Sequence, residues 1–324
     1  MPAAAALWHS PRTGPRDGNS APRSRLANPD ARRAALTAPR RRSGGHLSTV
    51  ELALGAARWL GAALAVVASA LYLQAFFSEG PRPARDPRRA LLVSATALMT
   101  LVIAARAAAL GTVPLFSPFE ALYFYGWLVF LVFLLVVRQP TRIAIGSLLV
   151  PFGTVCAVVG CLGFTPPGDV NPIFRNSLFA VHTLAAFLGY SALSVACAAG
   201  ILYLLMFDHI SKKKIGALAA RLPSLEDLDR LGHRTVILGF ALLTVGIAAG
   251  MTWAWQEWKV IWIWEPKGAW VLITWLLYAA YLVVRNAAGW RGERAAWMTT
   301  VGFALSIVTF LGTNYLFAWG RHTF

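Results

Sequence analysis

The chain has 324 residues, of which 57% are hydrophobic and 14% are charged. Soluble domains carry about 25% charged residues, so an ordinary soluble globule and a disordered chain are both excluded. The 30 basic and 14 acidic residues give a formal charge of +16, but outside the first 50 residues they form no contiguous basic face, which excludes a nucleic-acid partner.

Residues 1–48 are rich in Ala, Pro, Arg, Ser and Gly without an apolar period, which predicts a disordered basic tail. No apolar stretch follows the early charges, so the tail does not read as a signal peptide. Residues 1–50 hold nine Arg, no Lys and two Asp, a net of +7, and the remaining 274 residues carry 21 basic and 12 acidic residues, or +9. Most of that +9 falls in short gaps between long apolar runs.

The apolar runs are 52–77, 90–110, 119–137, 142–164, 177–206, 235–251, 270–284 and 297–317. A bilayer core of ~30 Å takes ~20 helical residues, and helices satisfy their own backbone in lipid. The expected fold is all-α: a polytopic membrane bundle of about eight transmembrane helices over 49–324, with a tryptophan-rich external loop at 252–270 and no internal repeat.

Loops 79–89, 138–142, 207–234 and 285–296 hold fifteen Lys and Arg, whereas 106–118, 165–176, 252–269 and 319–324 hold five. Basic loops stay on the cytoplasmic side, so the second set is expected outside. That orientation also puts residue 1 outside, against its nine Arg. Two resolutions stay open: a natural start near Val50, or a first span that is not a full crossing.

The stretch TWAWQEWKVIWIWEPKGAWVLITW (252–275) contains Trp253, Trp255, Trp258, Trp262, Trp264, Trp270 and Trp275. Interfacial belts usually contribute one or two Trp per helix end. The density here, with Glu265 and Lys267 among the rings, points to a platform for a large planar apolar ligand that bears some charge. Of six histidines, His9 and His46 lie in the tail, and His209 and His233 in a basic loop where a solvated role is the default. His182, in NSLFAVHTLAAFLGY, is an ionisable residue within an apolar span and so a functional candidate. His322, in FAWGRHTF, follows the last span. Counting crossings places His182, the Trp stretch and His322 on one face, where two imidazoles are able to supply the axial ligands of a haem iron. Taken singly, each histidine reads as a packing or chain-end residue. Cys156, Cys161 and Cys197 lie in apolar runs with no CxxC, which gives neither a zinc nor a thioredoxin-type signal.

WKVIWIWEPKGAWVLITWLLYAAYL resembles the "WWD" signature of haem-handling membrane proteins, and within them the CcsA/ResC branch of system II cytochrome c biogenesis. LFSPFEALYF (115–124), FAVHTLAAFLGYSAL (179–193), LDRLGHRTVILGFALLTVGIAAGMTWA (228–254) and LGTNYLFAWGRHTF extend the resemblance over residues 50–324. The resemblance implies a subunit of a cytochrome c synthase in the bacterial inner membrane, with the Trp loop and C-terminus on the outer face. Such a subunit moves or holds haem b as cargo and presents it to apocytochrome c, whose Cys-x-x-Cys-His motif forms thioether bonds. The implied partner is a CcsB/ResB-like membrane protein. His182 and His322 would be axial ligands, and Trp258, Trp262, Trp264, Glu265 and Trp270 the platform. Glu120 stands in the branch's acidic outer-loop position, where hydrogen bonding to a ligand imidazole and a helix-capping or solvated role are alternatives. Three positions depart from the branch: Glu265 replaces its Asp, Gly268 replaces an acidic residue, and Val283 replaces a histidine that ligates haem on its inward path. Two other readings use related helices, a haem exporter or chaperone like CcmC and a regulatory protein like HemX, and the dense Trp loop argues against the second.

Overall fold

The computed structural model describes residues 49–78, 86–138, 141–163, 172–213, 221–262 and 266–307. The predicted tail at 1–48 and the candidate residues Trp264, Glu265 and His322 lie outside the described residues. Eight α-helices are described: α1 (Thr49–Phe77), α2 (Pro87–Leu110), α3 (Pro118–Val136), α4 (Arg142–Cys161), α5 (Ser177–Ser211), α6 (Leu225–Trp258), α7 (Pro266–Ala287) and α8 (Glu293–Ile307), with a 3-10 turn at Pro172–Arg175 before α5. Among the described residues, α1 through α7 hold segments long and apolar enough to cross a membrane. The protein is a multi-pass helical membrane bundle.

Two side-chain clusters make the core. The larger joins α1 through α5 around Tyr72, Tyr123, Phe130 and Phe133, with Leu228 of α6 and Ala296 of α8 also part of it. The smaller joins α5 to α6, α7 and α8 around Leu193, Val236, Tyr278, Tyr281 and Phe303. The longest seam is the pairing of α5 with α6. Glycines bring its backbones together: a Cβ at Gly189 would lie 3.1 Å from the Gly239 carbonyl, and one at Gly246 would lie 3.0 Å from the Ala186 nitrogen. Small residues at such crossings are the usual device of membrane helices, which gain no hydrophobic drive from lipid.

The helix ends depart from the predicted spans. The sixth span, expected at 235–251, becomes the 34-residue α6, about 50 Å at 1.5 Å per residue against a hydrocarbon layer of ~30 Å. Ser224 caps it, accepting from the Asp227 N–H at 3.1 Å. Leu225, Leu228 and Leu231 then recur at helical spacing and pack on the larger cluster, while Glu226 pairs with Arg230 on the exposed side. These first two turns are amphipathic, so a search for apolar runs misses them. The same helix runs through Trp258, so the expected loop at 252–270 begins as helix and opens at Lys259, whose φ of 56° ends α6 in the left-handed region. His209 and His233, expected in a loop, stand on α5 and α6.

At the opposite end from the tryptophans, the turn between α7 and α8 is pinned to α6. Asp229 accepts from Arg285 Nη1 at 2.9 Å, Arg285 Nη2 at 2.5 Å and the Gly292 N–H at 3.2 Å.

Candidate functional site

Asn176 opens the site. Its side-chain oxygen accepts from the Leu178 N–H at 2.9 Å, satisfying one of the donors that a helix N-terminus leaves unpaired. Its amide nitrogen donates to Gln256 Oε1 and Glu257 Oε1, both at 3.2 Å. One residue therefore caps α5 and ties it to the last turn of α6. Within the next two turns of α5 lies His182, half-buried in the seam. Its Nδ1 donates to the Gly246 carbonyl of α6 at 2.7 Å.

Aromatic rings close the seam beside it. Phe179 lies 5.1 Å from Trp253 and 5.2 Å from Phe174, Trp253 meets Trp258 edge-on at 5.0 Å, and Phe174 meets Phe116 at 6.2 Å. Tilted and edge-on pairs contribute about 0.5–1.5 kcal/mol each beyond area burial. The ladder joins four segments: the α2–α3 connection, the 3-10 turn, α5 and α6. Trp253 is its buried rung at 8% exposure, while Trp255 and Trp258 present their faces at 51% and 38%.

A buried ion pair holds the Phe116 end. Glu120, 2% exposed, pairs with Arg106 and accepts from the Phe116 N–H at 2.8 Å. Ser117 caps α3 by accepting from the Glu120 N–H at 3.1 Å, with Pro118 at the first helical position, an arrangement close to a capping box. Thr112 Oγ1 donates to the Phe174 carbonyl at 2.5 Å, linking the same connection to the 3-10 turn.

The profile described as "Cytochrome C assembly protein" matches residues 115–319. The chain belongs to the cytochrome c assembly family. It is similar to "Cytochrome c biogenesis protein CcsA" of Prochlorococcus marinus (strain MIT 9312), 31% identical over 251 residues, covering 70% of this chain and 81% of that protein. The CcsA protein of Guillardia theta is 31% identical over 239 residues, covering 67% of this chain and 79% of its own. The chain is a CcsA-like cytochrome c biogenesis protein. The solved structure of the "Cytochrome c Heme Lyase CcmF" superposes with a TM-score of 0.59 at 21% identity, over 80% of this chain and 46% of that one. That likeness shows a shared fold across rather less than half of the solved chain.

The structure of this family member sorts the predicted residues. His182 stands one helical turn from Phe179 on α5, and Phe179 meets Trp253 of α6, which in turn meets Trp258. Trp262 lies in the connection that follows α6, and Trp270 in the first turns of α7, each half-buried. Trp275 belongs elsewhere: it stacks on Phe240 at 5.3 Å and donates from Nε1 to Thr244 at 2.9 Å, fastening α7 to α6 within the bundle. The seven tryptophans are thus not one surface. Glu120 partners Arg106 and the Phe116 backbone, which favours the capping alternative. Val283 is 62% exposed, on the side of α7 turned away from the buried Tyr278 and Tyr281. Sequence reasoning missed Asn176, Phe174, Phe179, Gly246 and Gly250. The GIAAG run at 246–250 is a small-xxx-small pattern that marks close helix approach. Nothing local in the sequence marks the two phenylalanines.

Proposed function

We propose that this chain holds haem at its tryptophan end and presents it to apocytochrome c, as the membrane subunit of a system II synthase beside a CcsB/ResB-like partner. The observation that carries the reading is the placement of His182 in the α5–α6 seam, one helical turn from Phe179, which meets Trp253 and through it Trp258. An imidazole near indoles suits an iron already held by a macrocycle, which asks the protein only for axial ligands and a flat apolar wall.

In this reading His182 is one axial ligand and His322 the other. Trp258, Trp262, Trp264 and Trp270 form the platform, with Glu265 beside it. The tryptophan end faces out from the bacterial inner membrane, supported by the fifteen-to-five division of basic residues between the two sets of loops. Bound haem supplies two vinyl groups, and each thiol of a Cys-x-x-Cys-His segment adds across one, sulfur to one carbon and hydrogen to its neighbour. The chain's own residues bind, orient and shield. The CcsA names of the relatives favour this reading over transfer to a carrier or a regulatory role.

The test is maturation of a c-type cytochrome reporter in a host that lacks its own assembly system, with this chain and a CcsB/ResB-like partner co-expressed. The full chain and a variant lacking residues 1–48 are expected to yield covalent haem on the reporter, and His182→Ala to yield less than a tenth as much. Equal maturation by His182→Ala overturns the reading.

A further inference from the structure

We infer that the Gly246 carbonyl and the bare backbone of Gly250 are positioning elements for His182, fixing which imidazole nitrogen faces the iron. This rests on the haem reading above and adds to it a specific cradle on α6.

The chemistry starts from the 2.7 Å contact between His182 Nδ1 and the Gly246 carbonyl oxygen. A carbonyl only accepts, so Nδ1 carries the proton, and in a neutral ring the lone pair then sits on Nε2. Metal-bound histidines are commonly held this way: the non-ligating N–H is given to an acceptor that fixes tautomer and orientation and raises ligand basicity.

The glycines supply the space. A Cβ at Gly250 would lie 2.5 Å from Nδ1, 2.8 Å from Cε1 and 3.3 Å from Cγ of His182. The Nδ1–Cε1 edge of the ring therefore rests on the backbone of α6, where any side chain at 250 would displace it. A Cβ at Gly246 would lie 3.0 Å from the Ala186 nitrogen and 3.3 Å from the His182 carbonyl, so this glycine brings α5 near enough for the ring to reach. Both glycines are helical, where glycine is less stable than alanine. Neither has a positive φ, so backbone freedom does not account for them, whereas access of the ring does. Gly189 lies two turns farther along α5, where the nearest atoms to an added Cβ belong to Leu243 and Gly239. It serves helix approach and provides the control.

The experiment titrates ferric haem into the purified full chain in detergent, followed by absorption spectra and a reductive titration. Gly250→Ala is expected to weaken haem binding at least ten-fold, to move bound haem from low spin to high spin and to raise its reduction potential. Gly189→Ala is expected to lower the thermal midpoint while leaving spin state and potential at the wild-type values. A Gly250→Ala protein with wild-type affinity, spin state and potential overturns the inference, and so does a Gly189→Ala protein with the same spectral change as Gly250→Ala. If His182→Ala itself leaves the haem spectrum untouched, the haem reading fails instead. A second measurement needs no glycine variant: nitrogen-15 NMR of histidine-labelled wild-type protein, with His182→Ala to assign the signal. It is expected to show the Nδ1–H tautomer, and the Nε2–H tautomer at His182 contradicts the inference.

Discussion

Glu120 and Arg106 are charged residues placed where charge is costly, and each is tolerated because of the other. The pair holds the α2–α3 connection and, through the Phe116 N–H, one end of the aromatic ladder. Removing one partner of a buried pair strands the other and costs about 3–5 kcal/mol, whereas replacing both with apolar residues is often close to neutral. Arg106→Ala is therefore expected to lower the thermal midpoint in detergent sharply, and Arg106→Met combined with Glu120→Leu to restore most of the loss. At this scale His182 was legible, because an ionisable residue inside an apolar run stands out. The partner of Glu120 was not, because Arg106 reads as one more loop charge until the fold brings the two together. Gly250 was legible only as part of a packing motif. Its contact with the imidazole depends on the register of α5 against α6, which no local pattern encodes.

Element lengths were the least legible feature. Apolar runs mark the part of a helix that lipid covers, and α5 and α6 extend past it at 35 and 34 residues. The extension of α6 at the tryptophan end turns Trp253, Trp255 and Trp258 from loop residues into helix residues, so their spacing sets which ring is buried and which are presented. α7 shows the converse. Its inward side is set by Thr274, Tyr278 and Tyr281, all buried, and its basic end is clamped by the Arg285–Asp229 pair. Val283 faces away from these, so a histidine there points out of the bundle. Val283→His in the chain alone is expected to leave haem content unchanged. Co-purified with a CcsB/ResB-like partner that supplies an opposing imidazole, the same variant is expected to raise haem per complex relative to wild type, measured by pyridine haemochrome absorbance.

For the whole molecule, composition established the class, since a chain with 57% hydrophobic and 14% charged residues has to bury its backbone in lipid as helices. What composition did not carry is the division into two clusters, one centred on α1 to α5 and one across α5 to α8, with α5 running through both. That helix also carries His182, so the candidate ligand stands on the element with the most neighbours, a rigid base for a site that has to hold a large planar cargo. The central claim is that His182 binds haem iron at the tryptophan end. The measurement that tests it most directly is the absorption spectrum of the purified full chain, oxidised and reduced, beside that of His182→Ala. The account predicts a six-coordinate low-spin haem spectrum for the wild type, and loss of haem or a change to high spin in His182→Ala. A wild-type protein that purifies without haem and shows no low-spin spectrum on haem addition, or a variant whose low-spin bands match those of the wild type, would contradict it.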